Sequence, residues 1–465
     1  MDRRKALKRI GIGASAGLFL PSLLTSCKDD EDPKPTIDYN GTVIVIGAGA
    51  AGLYTADLLV SQGIDVVILE AGDRIGGRVK SVRGFADFPV ELGADLLKSQ
   101  NSLFLQRIQA FNLTTVPVGA GRESIFFFNG QALPAADWQN HTDFVAAQSF
   151  INNISSYSGE DKTILQAAQD VGLDPSVYRL IEGQMAESLG TDSNKVGISG
   201  AKSSTNLSSN GVDIALANNP VEDIFFSVFN HLVERVNFNT SVTSIDYTGE
   251  EILIETNNGS FQGSKVVVTV PVSILKSNRI LFVPSLPEPK MTALSRIGMT
   301  SAIKVFVKFN KNFWGQNVLK VFGGNLIPVY TSIGPEISVS NRTLMIEVFG
   351  QDADALRVLS DEDLKSAILS DLDQIFDGKA SLNNDITGLI KMDWASDENI
   401  QGGYSYPLVG GSDNDRIVLA DDIDARVYFA GEATSVQYGT LDGAFESGSI
   451  AAQNIITHIK EEKSQ

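Results

Sequence analysis

From Thr42 the chain reads TVIVI, an uncharged apolar run with the pattern of a short buried strand. LYTADLLVSQG, residues 53–63, repeats its apolar positions at helical spacing and stops at Gly63. DVVILE then predicts a second strand that ends in Glu70. Far downstream, SAIKVFVKF alternates, so Lys304, Phe306 and Lys308 share one strand face. A lysine in that pattern is ordinarily solvated. Near the C-terminus, YFAGEATSVQYGTLDGAF surrounds one acid, Glu432, with small residues, and a second acid, Asp442, opens an apolar helical run. Small residues let backbone approach a bound group closely. The polar run KSSTNLSSNG, Lys202 to Gly211, predicts a loop. No internal repeat interrupts this order.

Between the first strand and helix stands GAGAAG, with Gly47, Gly49 and Gly52 in the G-x-G-x-x-G spacing. Such a triplet is weak alone. Here a strand precedes it, a helix follows it, and an acid comes about twenty residues on. Gly47 permits the tight turn, Gly49 lets backbone meet a pyrophosphate, and Gly52 lets helix and strand pack closely. The helix N-terminus faces the phosphates. Glu70 accepts hydrogen bonds from ribose hydroxyls. A dinucleotide is predicted, NAD or FAD.

The composition changes this picture little. The 465 residues suffice for two or three domains, and 43% hydrophobic with 20% charged residues is ordinary globular usage. The net charge of −19 argues against nucleic-acid binding, which needs a basic footprint. It suits either a soluble acidic surface or the steering of a cationic substrate. His141, His231 and His458 sit in no motif, and no metal site is predicted.

The N-terminus reads as a processing segment. MDRRKALKRI is basic, and the apolar GIGASAGLFLPSLL after it is too short to span a bilayer. LTSC follows, ending in the sole cysteine, Cys27. The stretch resembles a twin-arginine export signal, with Ala6 where such signals favour Phe, followed by a bacterial lipobox. Lipidated Cys27 would anchor the chain to a membrane, and no thiol would remain for disulfides or catalysis. KDDEDPKPTIDYN reads as a solvated linker, and its start resembles the surface-export signal of Bacteroidetes lipoproteins. An exported lipoprotein is expected, periplasmic or anchored at the outer membrane or cell surface.

After Glu70 come Ala71, Gly76, Gly77 and Arg78, in a second glycine motif that resembles flavoproteins of the glutathione-reductase-like fold. VELGADLL, with Gly93 and Ala94, resembles the segment beside the flavin in amine oxidases. The run from Tyr428 to Phe445 resembles the C-terminal flavin-binding motif of the flavin-containing amine oxidase family, which includes monoamine and polyamine oxidases, L-amino-acid oxidases and histone demethylases. The resemblance spans most of the chain after Asn40. It implies an α/β fold: a discontinuous, Rossmann-type FAD-binding domain (40–114, 218–290 and 395–460) with an α+β mixed-sheet substrate domain (115–217 and 291–394). Residues 1–27 would be the export signal and 28–39 the linker.

The resemblance also implies roles. FAD would contact Gly47, Gly49, Ala51, Gly52, Glu70, Ala71, Gly77, Arg78, Gly93, Ala94, Val242, Trp394, Gly431, Glu432 and Leu441. Arg78 would pair with a phosphate. Backbone at Val242, in ERVNFNTSVTSIDY, would meet the adenine, and GSKVVVTVPVSIL would return into the sheet. Leu441, opening the last helix, would face the pyrimidine end of the flavin. Lys304 would hold a water at flavin N5. Tyr404 follows Gly402 and Gly403 where monoamine oxidases carry the flavin-linked cysteine, so non-covalent FAD is implied. Ser405 and Thr440 stand at the positions of the monoamine oxidases' two cage tyrosines, which puts a small arylalkylamine in doubt. Tyr404, Tyr406 and Thr440 are candidate pocket residues. The activity implied is hydride transfer from the α-carbon of a small-molecule amine, with O2 as acceptor. The rivals are a flavin desaturase or dehydrogenase with another acceptor, and a flavin-containing surface lipoprotein that binds a ligand without turnover. Which amine is used, and the oligomeric state, stay open.

Cys27→Ser should release the protein from the membrane fraction or leave it unprocessed. Fractionation and gel mobility matching wild type would refute the lipobox reading.

Overall fold

The computed structural model describes residues 37–464, apart from 98–101, 109–110, 203–212, 218, 335, 337, 339–340 and 383–385. The export segment, Cys27 and nearly all of the loop predicted at 202–211 therefore lie outside the described residues. The expected linker is packed before its end. Ile37 is buried in the core, and the Tyr39 hydroxyl donates to Ser264 Oγ at 2.6 Å.

Among the described residues, five strands form a parallel sheet in the spatial order Val427–Phe429, Lys265–Val268, Thr42–Ile46, Asp65–Leu69, Val236–Asn237. Thr42–Ile46 lies at its centre and is buried from Val43 to Ile46, as an apolar run covered on both faces must be. The glycine turn leads from it into the helix Ala50–Ser61. Gly47 has φ +106°, and a Cβ on Gly52 would stand 2.0 Å from the Gly47 carbonyl oxygen. Glycine is therefore required at both positions by geometry, for the turn and for helix-on-strand contact respectively.

The 22-residue helix Leu441–Glu462 packs against that first helix. Gly448 brings the two backbones together: its carbonyl accepts from Thr55 Oγ1 at 3.1 Å, and a Cβ there would meet the Ala51 oxygen at 2.6 Å. Tyr54 and Phe445 pack ring to ring at 4.7 Å, and Phe104, Phe225 and Phe229 extend the cluster. The two ends of the described chain thus share one core.

A seven-stranded mixed sheet runs in the order Ile386–Asp393, Ala302–Phe309, Thr343–Phe349, Val329–Ile333, Val318–Phe322, Glu123–Phe128, Gln131–Pro134. In Ala302–Phe309 both faces are covered. Ile303, Val305, Val307 and Phe309 enter one core, while Phe306 joins a second with Phe85, Phe88 and Val90. Lys304 is therefore 1% exposed, and the alternation does not mark a solvent face. No described helix is long and apolar enough to cross a membrane.

Glu91 joins the short ribbon formed by Ser81–Val82 and Val90–Glu91 to the helix Val221–Phe229. It accepts from the Val221 backbone N–H at 3.0 Å and from Ser81 Oγ. Burial pushes its carboxyl up to about 7, against those two donors. A raised acid stabilises the fold while protonated, and that stability is lost as pH rises through about 7. Unfolding free energy should therefore fall between about pH 5 and about pH 8, with a contribution from Glu91 of the order of 3 kcal/mol. Glu91→Gln should flatten this slope in urea titrations at the two pH values. An unchanged slope would show that Glu91 titrates normally.

Candidate functional site

A cavity of about 330 Å³ lies between the parallel sheet and the seven-stranded sheet. One end is walled by Ile46, Gly47, Gly49, Glu70, Ala71, Val242 and Thr243. It continues past Gly77, Arg78, Gly93 and Ala94 to Trp394, Gly403, Tyr404, Gly431, Glu432, Thr440 and Leu441. Most of the sequence-predicted residues thus line one continuous space. Gly52 stands behind the wall and packs helix on strand. At Gly49 and Gly431 an added Cβ would meet nothing within 4 Å, so space, not packing, borders these glycines.

At the first end the Glu70 carboxylate accepts from the backbone N–H groups of Ala48 at 2.7 Å and Gly72 at 2.8 Å. Burial raises its carboxyl, and these donors and Arg74 oppose the rise. The acid is held rigidly beside the open helix N-terminus, where no side chain caps Ala50–Ser61. Free N–H groups and a fixed carboxylate fit a nucleotide's phosphates and ribose.

Glu432 occupies the middle. It is 5% exposed and accepts from Ser405 N at 3.2 Å, Ser405 Oγ at 2.7 Å, Gly439 N at 2.9 Å and Arg78 Nη1 at 3.1 Å. Arg78 also donates to the Gly403 carbonyl at 2.6 Å, so the expected phosphate partner is tied to protein on one side. Behind Ser405 lies Arg416, 1% exposed, donating to Ser405 Oγ at 2.7 Å and the Ala433 carbonyl at 3.0 Å. Its guanidinium stacks 3.8 Å from the Tyr438 ring centre. Burial alone would raise the Glu432 carboxyl; the Arg78 and Arg416 guanidinia with the Ser405 and Gly439 donors hold it below the usual range. Nothing in the sequence around Arg416 marked it, because its partners are 11, 17 and 22 residues away in chain and adjacent only in the fold.

At the far end Phe349, Tyr404 and Trp394 line the cavity. Phe349 and Tyr404 meet edge to face at 5.1 Å, and Trp394 Nε1 donates to the Leu92 carbonyl at 2.9 Å. Phe349 went unrecognised in the sequence, where it ends an ordinary apolar strand. Ser405 turns away to Glu432. Thr440 both lines the cavity and caps the last helix, accepting from Gly443 N at 2.9 Å. Tyr406 corrects an expectation. It is 4% exposed and lies in the core under the helix Tyr178–Leu189, not on the cavity wall. Its strand pairs it with Gly298, whose missing side chain leaves room for the ring.

Lys304 also stands one layer back. Its ammonium donates to the Gly93 carbonyl at 3.1 Å and to Asp95 at 2.9 Å, and Glu347, opposite it across the strand pair, lies at 3.8 Å. Gly93, Asp95 and Glu347 line the cavity. Among the described residues no side-chain group is arranged to hold a metal ion.

The chain matches the family model described as flavin containing amine oxidoreductase over residues 50–177 and 227–456. It is 30% identical to lysine-specific histone demethylase 1 homolog 1 of Arabidopsis thaliana over 89% of this chain and 52% of that protein. It is 27% identical to a probable polyamine oxidase of the same plant over 90% of this chain and 88% of that one. The chain spans about half the length of the demethylases it matches. Among solved structures it superposes on cyclohexylamine oxidase from Brevibacterium oxydans with TM-score 0.76 at 21% identity, covering 93% of this chain and 100% of that one. It superposes on a putrescine oxidase bound to putrescine with TM-score 0.75 at 20% identity, covering 90% and 99%. These two likenesses establish a shared fold.

Arg416→Met should remove a buried cation from Glu432 and lower unfolding free energy by about 3–5 kcal/mol. Its neighbour Ile417 is 54% exposed, and Ile417→Ala should change stability by no more than about 0.5 kcal/mol. Denaturant titration compares the two. Equal small effects would mean that Arg416 contributes no net stabilisation through Glu432.

Proposed function

Because the chain belongs to the flavin-containing amine oxidoreductase family, we propose that it is an FAD-dependent amine oxidase with non-covalent FAD. The observation that carries this reading is the single cavity running from the glycine turn and Glu70 to the aromatic walls at Phe349, Trp394 and Tyr404. Bound FAD supplies a hydride acceptor at N5 and passes two electrons and two protons to O2, giving peroxide.

The protein's own part is binding, orientation and exclusion of water. Gly47, Gly49 and the helix start at Ala50 receive the pyrophosphate, and Glu70 receives the ribose hydroxyls. Val242 borders the adenine. The start of the last helix at Leu441 favours negative charge at the pyrimidine end. Phe349, Trp394 and Tyr404 hold the amine's α-carbon in a dry space, which helps the neutral amine and aligns it. The imine product then hydrolyses to an aldehyde or ketone. Tyr404, where monoamine oxidases carry cysteine, supports a cofactor that is not covalently linked. The likeness to a probable polyamine oxidase over nearly its whole length supports an aliphatic amine.

In this reading residues 40–114, 218–290 and 395–460 serve the cofactor, and 115–217 with 291–394 the amine. Export and lipidation at Cys27 would hold the enzyme in the periplasm or at the outer surface. One observation favours a second reading, a flavin dehydrogenase with another acceptor: Lys304 is ion-paired to Asp95.

Purified protein should be yellow and release intact FAD on acid precipitation. Under anaerobic conditions an amine from a panel of polyamines, monoamines and amino acids should bleach the flavin, and in air the same amine should yield peroxide. A flavin that no amine bleaches would sink the amine reading. Bleaching without peroxide would favour the dehydrogenase.

A further inference from the structure

Trp394 to Gly402 form a loop whose base is fixed on the side of the seven-stranded sheet. The Trp394 N–H donates to the Ala302 carbonyl at 3.0 Å, and the Gly402 N–H closes the loop on the Trp394 carbonyl at 3.0 Å. Gly402 has φ +144°, and a Cβ there would stand 2.6 Å from the Thr300 carbonyl oxygen, so the base is tightly seated. The tip is folded on itself. The N–H groups of Ile400 and Gln401 both donate to the Asp397 carbonyl, at 3.1 and 2.9 Å. Ile400 packs with Trp394 and Phe349 at the aromatic end. From there the tip reaches the opposite wall. Ser273 Oγ, on the helix Val272–Lys276, donates to the Ile400 carbonyl at 2.5 Å. The Arg279 guanidinium donates to the Glu398 carbonyl, and the Glu398 carboxylate lies 3.9 Å from it. Arg279 stands two residues before the strand Leu281–Val283, which pairs with Val242–Asp246 at the nucleotide end. Asn399 and Ile400 from the loop, and Ile274 and Arg279 from the other side, line the cavity. The loop is therefore a strap across this space, with its base on one wall and its tip tied to the other.

Resting on the FAD part of the reading above, we propose that Ser273 and Arg279 are positioning residues: they latch the strap 394–402 over bound FAD and so set how slowly the cofactor leaves. A cofactor with no covalent bond to the chain is kept by what closes over it. The base of the strap is held by backbone bonds to a buried strand, whereas the tip is tied to the nucleotide side through two side chains. Arg279 is 41% exposed, so water competes for its bonds, and this end opens more readily than the base. The guanidinium is committed to Glu398, and its hold on the cofactor passes through the strap. Because Ile400 also packs beside Trp394 and Phe349, one closure covers the nucleotide end and steadies the aromatic end.

The test follows two rates in the FAD-loaded protein. One is exchange of bound FAD, chased with an excess of an FAD analogue whose flavin absorbs at another wavelength. The other is amide hydrogen exchange of the peptide 394–403, measured in excess FAD. Arg279→Met and Ser273→Ala combined should speed cofactor exchange by about tenfold or more, as loss of a charge-assisted and a neutral hydrogen bond implies. The same variant should speed amide exchange in 394–403 and leave the glycine-turn peptide 42–53 protected. Arg279→Lys keeps a cationic donor and should fall between wild type and Arg279→Met in both rates. Unchanged cofactor exchange in the combined variant overturns the proposal. Faster cofactor exchange with 394–403 still protected also overturns it, for then these side chains grip FAD directly. A loosened 394–403 with no faster loss of FAD overturns it too, because the strap then retains nothing. Should the combined variant not hold flavin, Ser273→Ala alone breaks one anchor, and the same pair of rates decides. Neither rate needs an amine. A loaded protein that no amine bleaches would therefore sink the amine reading and leave both rates measurable, whereas a chain that takes up no FAD overturns both.

Discussion

The Glu432 carboxylate is the contact on which the site depends. A carboxylate that is 5% exposed survives only if cations and N–H donors surround it. Its partners come from four places: Arg78 after the second glycine motif, Ser405 on the strand beside the cavity, Arg416 on the helix Asp413–Ala420, and Gly439 before the last helix. Arg78, Ser405 and Gly439 bond the carboxylate directly, Arg416 acts on it through space and through Ser405, and each fixes one wall segment relative to the others. Tyr404 precedes Ser405, Thr440 follows Gly439, and the Gly403 carbonyl accepts from Arg78. The cavity's middle is thus built around one buried charge.

Closure of the chain on itself makes that arrangement possible. The first and last helices pack through Gly448 and the Tyr54–Phe445 contact, and the strand Val427–Phe429 joins the same sheet as Thr42–Ile46. The glycine turn near residue 47 and the motif near residue 432 therefore face one cavity. The seven-stranded sheet supplies its other side, with Phe349 and Glu347 from one strand and Lys304, behind the wall, from the next.

Charge is distributed unevenly along this space. Glu70 is held by backbone donors, Glu432 by two guanidinia, and Asp95 with Glu347 by one buried ammonium. Only at Glu432 do the neighbouring cations and donors outweigh burial. The third pair shares an ammonium that lies behind the cavity wall.

The amino-acid sequence alone determined the strand, turn and helix around Gly47, Gly49 and Gly52, the acid at Glu70, and the motif around Glu432, because these depend on neighbours close in chain. A turn with φ at +106° needs glycine, and a strand followed by a helix sets the distance to the acid. The family resemblance pointed further, to Val242 and Trp394, which line the cavity, and to Lys304, which stands behind it. Only the tertiary structure decided the rest. Arg416 belongs to the site through Ser405 and Tyr438, Phe349 through its edge contact with Tyr404, and Asp95 through a lysine more than 200 residues away. It also removed Tyr406, whose spacing from Tyr404 suits either a wall or a core, because its strand turns the ring onto Gly298 and into the core. Local pattern specifies backbone shape and the residue types it tolerates. Which side chains meet across a cavity depends on how distant strands register, and no spacing along the chain records that.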